Sequence, residues 1–189
     1  MKKILVLIFA LAITLSLASC GEDLDTLGAY IEAVEATNPT ETVVDTEVTT
    51  VLGKLYSTVK TVYNEDGSSV ITYSYEKFNA IGEGADAKSE ISGTVNCDKD
   101  GKYSGDVSGN VSAAASIKLH LDASLLKDLS FDNQVCSAVV EAANTQAVLG
   151  IALNADVNIV IAVSEGKLAS MTLAYTDQSG EVLISCSYK

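Results

Sequence analysis

Apolar and polar residues alternate almost strictly from Tyr103 to Leu125, and this period of two constrains the chain more than any other feature. Such alternation is the mark of strands with one buried and one wet face. The odd positions carry Gly105, Val107, Gly109, Val111, Ala113, Ala115, Ile117, Leu119 and Leu121, whereas the even positions are mostly Ser, Asp, Asn, Lys and His. A single strand of this length would be exceptional, so two are expected, broken or bulged near Gly109 or over 113–116. The inward set is lined at first by Gly105, Gly109, Ala113 and Ala115 rather than by large aliphatics. Each large aliphatic at such a site would contribute roughly 1.5–3 kcal/mol of burial. Something else must therefore fill the space. Three fillings fit: an alanine-rich helix lying close on the sheet, a glycine-permitted bend or bulge, and a cavity that takes an apolar ligand. In the third case Ile71, Tyr73 and Tyr75, which share one strand face, complete the wall.

The same alternation recurs along the chain. Strands are expected over 42–52, 55–63, 69–78, 89–97, 151–163, 168–175 and 181–188, with turns at 64–68, 98–102, 164–167 and 177–180. Asp66-Gly67 is a strong hairpin signal. Residues 79–88 read as a loop. Two segments switch to a helical spacing. Leu24, Leu27, Ile31 and Val34 form a stripe that Asp23 or Asp25 can cap and that Pro39 ends. Val135, Val139, Ala142 or Ala143, and Ala147 form a second, capped by Ser130 or Asp132 and ended by Gly150. The sum is an α+β domain: a curved antiparallel sheet of about nine strands with two helices on its concave face.

The N-terminus supplies an address. Lys2 and Lys3 precede an apolar run over 4–17, a length suited to a signal peptide and short for a membrane span. The run ends in Leu17-Ala18-Ser19-Cys20, which resembles the lipobox of bacterial lipoproteins. The resemblance implies lipidation of Cys20 and removal of 1–19, leaving 20–189 as a single domain. It places the protein outside the cytoplasm, lipid-anchored to the bacterial cell membrane or outer membrane. About three residues separate Cys20 from the first helix, a tether of roughly 10 Å.

Charge excludes other partners. The formal net charge of −13 becomes −15 once Lys2 and Lys3 are lost. No nucleic acid is expected on so acidic a surface. All twelve basic residues are lysine, so planar bidentate clamps on phosphate or carboxylate are lacking. Cys97, Cys136 and Cys186 all read as core-facing, either as free thiols or with one pair in a disulfide.

Catalytic patterns fail in context. Ser57-x-x-Lys60 matches an acyl-enzyme motif but sits in a strand without its companion elements. His120 shares a wet face with Lys118 and Asp122. The 98–101 segment reads as a hairpin turn rather than a calcium loop. Ligand supply is too thin for zinc. No enzyme, metal or cofactor is expected.

The order helix, strands, helix, strands resembles the half-barrel of bacterial lipoprotein carriers, the LolA and LppX-like group. That resemblance implies an apolar cleft between an open curved sheet and its helices, and a non-catalytic role in holding an apolar or lipid-like ligand. The alternative is a structural or protein-interaction lipoprotein with a filled core.

Overall fold

A computed structural model describes residues 26–79, 88–105, 117–178 and 180–189. Ten strands form one antiparallel sheet: β1 (Glu41–Thr50), β2 (Gly53–Tyr63), β3 (Ser69–Asn79), β4 (Lys88–Cys97), β5 (Tyr103–Gly105), β6 (Leu126–Asp132), β7 (Val135–Val140), β8 (Val157–Ser164), β9 (Lys167–Asp177) and β10 (Gly180–Tyr188). Their spatial order is β5-β4-β3-β2-β1-β10-β9-β8-β7-β6. Two five-stranded meanders thus meet where β1 pairs with β10 at the centre. The sheet is open, with β5 and β6 at opposite edges. Among the described residues two α-helices accompany it, α1 (Leu27–Ala36) and the single-turn α2 (Thr145–Leu149).

The turns show why the hairpins form. At 64–68, Gly67 takes a φ of 84° and the Asp66 carboxylate accepts from both the backbone N–H and the hydroxyl of Ser68. Those bonds hold the Asp66 carboxyl below its usual range. Between β8 and β9, Glu165 and Gly166 both have positive φ (53° and 71°), as a two-residue turn of matching twist requires. The β1–β2 turn differs, because its two central residues, Val51 and Leu52, are apolar and 95% and 61% exposed.

The expected helix over 130–150 is the main departure. Residues 126–140 form the β6–β7 hairpin instead, and only Thr145–Leu149 is α-helical. Cys136, Ala138 and Val140 face the core, while Val135 turns to the opposite face beside Val160 and Ala162. Asn133 and Gln134 at φ 46° and 65° make the turn. The sheet therefore has ten strands rather than nine. Gly150, at φ 71°, does end the short helix in the left-handed conformation.

Other boundaries shift less. α1 begins at Leu27 after an extended Thr26, so Asp23, Leu24 and Asp25 lie outside the described residues. Strand β8 starts at Val157, not 151. Of the alternating 103–125 segment, only Tyr103–Gly105 is described as strand, and 106–116, with Gly109, Ala113 and Ala115, lies outside the described residues. Residues 80–87 of the expected 79–88 loop also lie outside them.

The main core lies on the inner face of the C-terminal meander. Ile159, Ile161, Met171 and Leu173 from the sheet, Tyr30 and Ala33 from α1, and Val148 and Leu149 from α2 are all buried there. A smaller cluster, Val59, Ile71, Tyr73 and Val95, occupies the N-terminal wing. There the Tyr73 ring lies across Gly93, so close that a Cβ at Gly93 would fall 2.5 Å from the tyrosine hydroxyl. An aromatic thus covers the gap that a strand glycine leaves. The edges are blunted: β5 has three residues, and β6 carries a bulge between Lys127 and Ser130.

Candidate functional site

The described end of the crossover from β5 to β6, residues 117–122, forms one side of the site. Its exposure still alternates, with Leu121 buried and Lys118 and His120 exposed. Residues 117–122 make no strand ladder. Instead the Lys118 and His120 N–H groups donate to the carbonyls of Leu149 and Val148, at 3.2 and 2.7 Å. These are terminal carbonyls of α2 that would otherwise lack partners. Beneath, the fully buried Thr145 hydroxyl donates to the Ala142 carbonyl and accepts from Leu153 N–H, which fixes α2 in place.

The other side is the end of α1. The Thr37 hydroxyl donates to the Ala33 carbonyl at 2.7 Å and accepts from Leu168 N–H at 2.8 Å. One side chain thereby closes the helix and joins it to β9. The chain then turns through Asn38 and Pro39 into β1.

Between these two supports lies a cleft of about 830 Å³. Its back is the centre of the sheet, with Thr42 and Val44 from β1 and Cys186 and Tyr188 from β10. Val34 and Leu168 form one flank, Ile117 and Leu119 the other. The β2–β3 turn, with Tyr63, Asn64 and Glu65, stands at its mouth with Lys118. The buried part of the lining is apolar, with Val44, Leu168 and Cys186, whereas its exposed part is mostly polar, with Asn38, Thr40, Asn64, Glu65 and Lys118, the usual division in a small-molecule site.

Burial sets the chemistry of the groups inside. It pushes the Cys186 thiol up to about 11, partly offset by its hydrogen bond with Tyr188. Burial raises the Cys136 thiol to about 11 as well, and it also raises the Tyr188 hydroxyl. All three cysteines described are free thiols, with Cys97 partly exposed and the others buried. At pH 8 a thiol of pKa about 11 is about one-thousandth thiolate, the reactive form. Of the three described cysteines, folded protein is therefore expected to take up iodoacetamide rapidly at Cys97, and at Cys136 and Cys186 only after unfolding. Peptide mapping after a short pulse checks this, and a fast-labelled Cys136 would contradict the packing of β7.

The sequence-derived ligand residues fall elsewhere. Ile71 and Tyr73 are buried and Tyr75 is partly buried, all in the N-terminal wing cluster. Tyr73 and Tyr75 pack ring to ring at 5.5 Å. Gly105 pairs with Val95 on the exposed edge strand, where a Cβ would meet the Thr94 carbonyl at 2.7 Å. None of these described residues lines the cleft. Conversely, the residues that do line it come from five separate stretches of the chain. Only parity along β1 and β10 would have marked Val44, Cys186 and Tyr188 as neighbours.

Among the described residues no group of three His, Cys, Asp or Glu side chains is placed to hold a metal, and no helix is long and apolar enough to cross a membrane. Tyr30, fully buried against Phe131 with its hydroxyl unpartnered, belongs to the core rather than the cleft.

The geometry defines an open ten-stranded antiparallel α+β domain with a cleft at the end of its first helix. No protein-family model matches the chain, and no curated protein matches it. Among solved structures, LprF from Mycobacterium bovis aligns with 12% identity over 86% of this chain and 93% of its own, at a TM-score of 0.38. The dehydratase domain from the CurK module of curacin polyketide synthase aligns with 10% identity over 87% of this chain and 80% of its own, at a TM-score of 0.22. Scores this low carry no argument, so the functional reading rests on the cleft.

Proposed function

We propose that this protein is a non-catalytic, lipid-anchored module of the bacterial cell envelope that holds an apolar or lipid-like ligand in the cleft between α1, the crossover and the β1–β10 seam. The fold is the half-barrel of the LolA and LppX-like carriers, and Cys20 carries the anchor. The observation behind this reading is the cleft itself. Its volume of about 830 Å³ and its walls of Val34, Val44, Ile117, Leu119 and Leu168 suit an alkyl chain or a ring system. The polar rim leaves a head group in water. The acidic body, at −15 once Lys2 and Lys3 are lost, is kept off an anionic bilayer by charge and on it by acyl chains.

The test uses protein beginning at Gly21, which contains every described element. N-phenyl-1-naphthylamine, an uncharged apolar dye, is expected to bind saturably at one site, and native mass spectrometry is expected to show co-purified lipid. Bare protein mass with no dye uptake would overturn the reading and leave a structural or protein-interaction role. A separate palmitate-labelling experiment tests the anchor, which is expected to disappear in Cys20→Ala.

A further inference from the structure

Among the described residues the cleft is lined by two charged side chains, Glu65 and Lys118, of opposite sign. Among the described residues neither takes part in an ion pair. Lys54, Lys60, Lys127 and Lys189 are matched with glutamates, whereas Lys118 shares its unpaired state, among the described residues, with Lys77, Lys99, Lys102 and Lys167 but is the one of these five that lines the cleft. The two mouth charges also stand on fixed backbone. Glu65 sits in the β2–β3 turn braced by the bonds from Ser68 to Asp66, and Lys118 is held through its N–H to the Leu149 carbonyl. Tyr63, the last residue of β2, lines the same cleft as Glu65. A carboxylate and an aromatic side chain on one opening are suited to an ammonium group, and a lysine outside any ion pair to a phosphate.

Building on the cleft reading above, we propose that the ligand is a zwitterionic amphiphile of the phosphocholine or phosphoethanolamine class, its ammonium directed to Glu65 and Tyr63 and its phosphate to Lys118. A purely anionic head gains Lys118 but meets Glu65 within the field of a chain at −13. An uncharged head gains neither charge. The zwitterion satisfies both without net cost to the field.

Full-length protein in a non-ionic detergent is exposed to three dialkyl probes that share one diazirine-bearing chain and differ in the head: phosphocholine, phosphoglycerol or plain glycerol. After photolysis, intact mass gives adduct yield, and peptide mapping locates the adduct. The phosphocholine probe is expected to label cleft residues at least about fivefold more than the phosphoglycerol probe, a preference within reach of one exposed charge contact. Glu65→Lys is expected to reverse that order. The residue is exposed in a turn, and a thermal melt confirms that the fold survives. Equal labelling by the two charged probes, or an order unchanged in Glu65→Lys, would overturn the head-group assignment while the cleft reading stood. Absence of cleft adducts with all three would overturn both.

Discussion

Replacing Gly53 with alanine is expected to destabilise the protein by about 3 kcal/mol, more than most single substitutions achieve. Gly53 opens β2 with a φ of 146°, a conformation that side chains rarely adopt. A Cβ there would lie 1.9 Å from the Phe78 carbonyl oxygen and 3.0 Å from the Asn79 Cα. These are backbone atoms of the paired strand, in register through Gly53↔Asn79 and Lys54↔Phe78, so no side chain can swing aside to relieve the clash. The β2–β3 ladder must open at that end or β2 must bend. Two other glycines calibrate the effect. Gly67 also has positive φ, at 84°, but the nearest atom to its would-be Cβ is Lys99 Cβ at 4.0 Å. Gly67→Ala should therefore lose only the conformational cost of about 1–2 kcal/mol. Gly28 lies inside α1, with nothing closer than Thr26 Oγ1 at 4.0 Å, and Gly28→Ala should stabilise by up to about 1 kcal/mol. Urea unfolding of the three variants gives the ranking. A Gly53→Ala variant as stable as Gly67→Ala would refute the register at the open end of the β2–β3 hairpin.

The hairpins were legible in the sequence wherever turn chemistry and alternation agreed. Asp66-Gly67 and Glu165-Gly166 each supply a residue suited to positive φ, and the strands on both sides alternate cleanly. The β6–β7 hairpin was not legible, for a physical reason. In Val135–Val140 the apolar residues Val135, Cys136, Ala138, Val139 and Val140 occupy both parities, so periods of 2 and 3.6 fit equally well. Both faces are in fact buried there, since Cys136 points into the main core and Val135 into the small cluster with Val160 and Ala162. An alanine-rich tail at 142–147 tilted the reading towards helix. Tertiary pairing with β8 decides for strand, with Val135 opposite Ala162 and Val140 opposite Val157. The 117–121 segment shows the converse. Its alternation is real in burial, yet its backbone bonds the end of α2 instead of a neighbouring strand. A side-chain pattern records which face is dry and not what satisfies the backbone.

The same limit governs the site. Ile71, Tyr73 and Tyr75 were recognisable as one apolar face, but a face can be filled by its own neighbours, and Val59 and Val95 fill this one. The cleft depends on where α1 ends and where the crossover docks, neither of which strand parity encodes. Two substitutions separate these locations. Ile117 is half-buried, lines the cleft and belongs to no strand. Ile117 packs against the main core on one side and faces the cleft on the other, so Ile117→Trp is expected to cost about 1 kcal/mol, the low end of overpacking, because the cleft takes up part of the added volume. It should nevertheless weaken N-phenyl-1-naphthylamine binding by about tenfold or more, since the dye must give up the displaced volume and its apolar contacts. Tyr75→Ser, on the N-terminal wing, should behave in the opposite way. It removes a ring packed against Tyr73 and lowers stability by about 2–4 kcal/mol while leaving dye affinity within twofold. Fluorescence titration and thermal unfolding of the two variants read out both quantities. If Tyr75→Ser abolished uptake and Ile117→Trp spared it, the ligand would lie on the wing that the alternating sequence first suggested, and the cleft at the end of α1 would be a solvent-filled gap between elements.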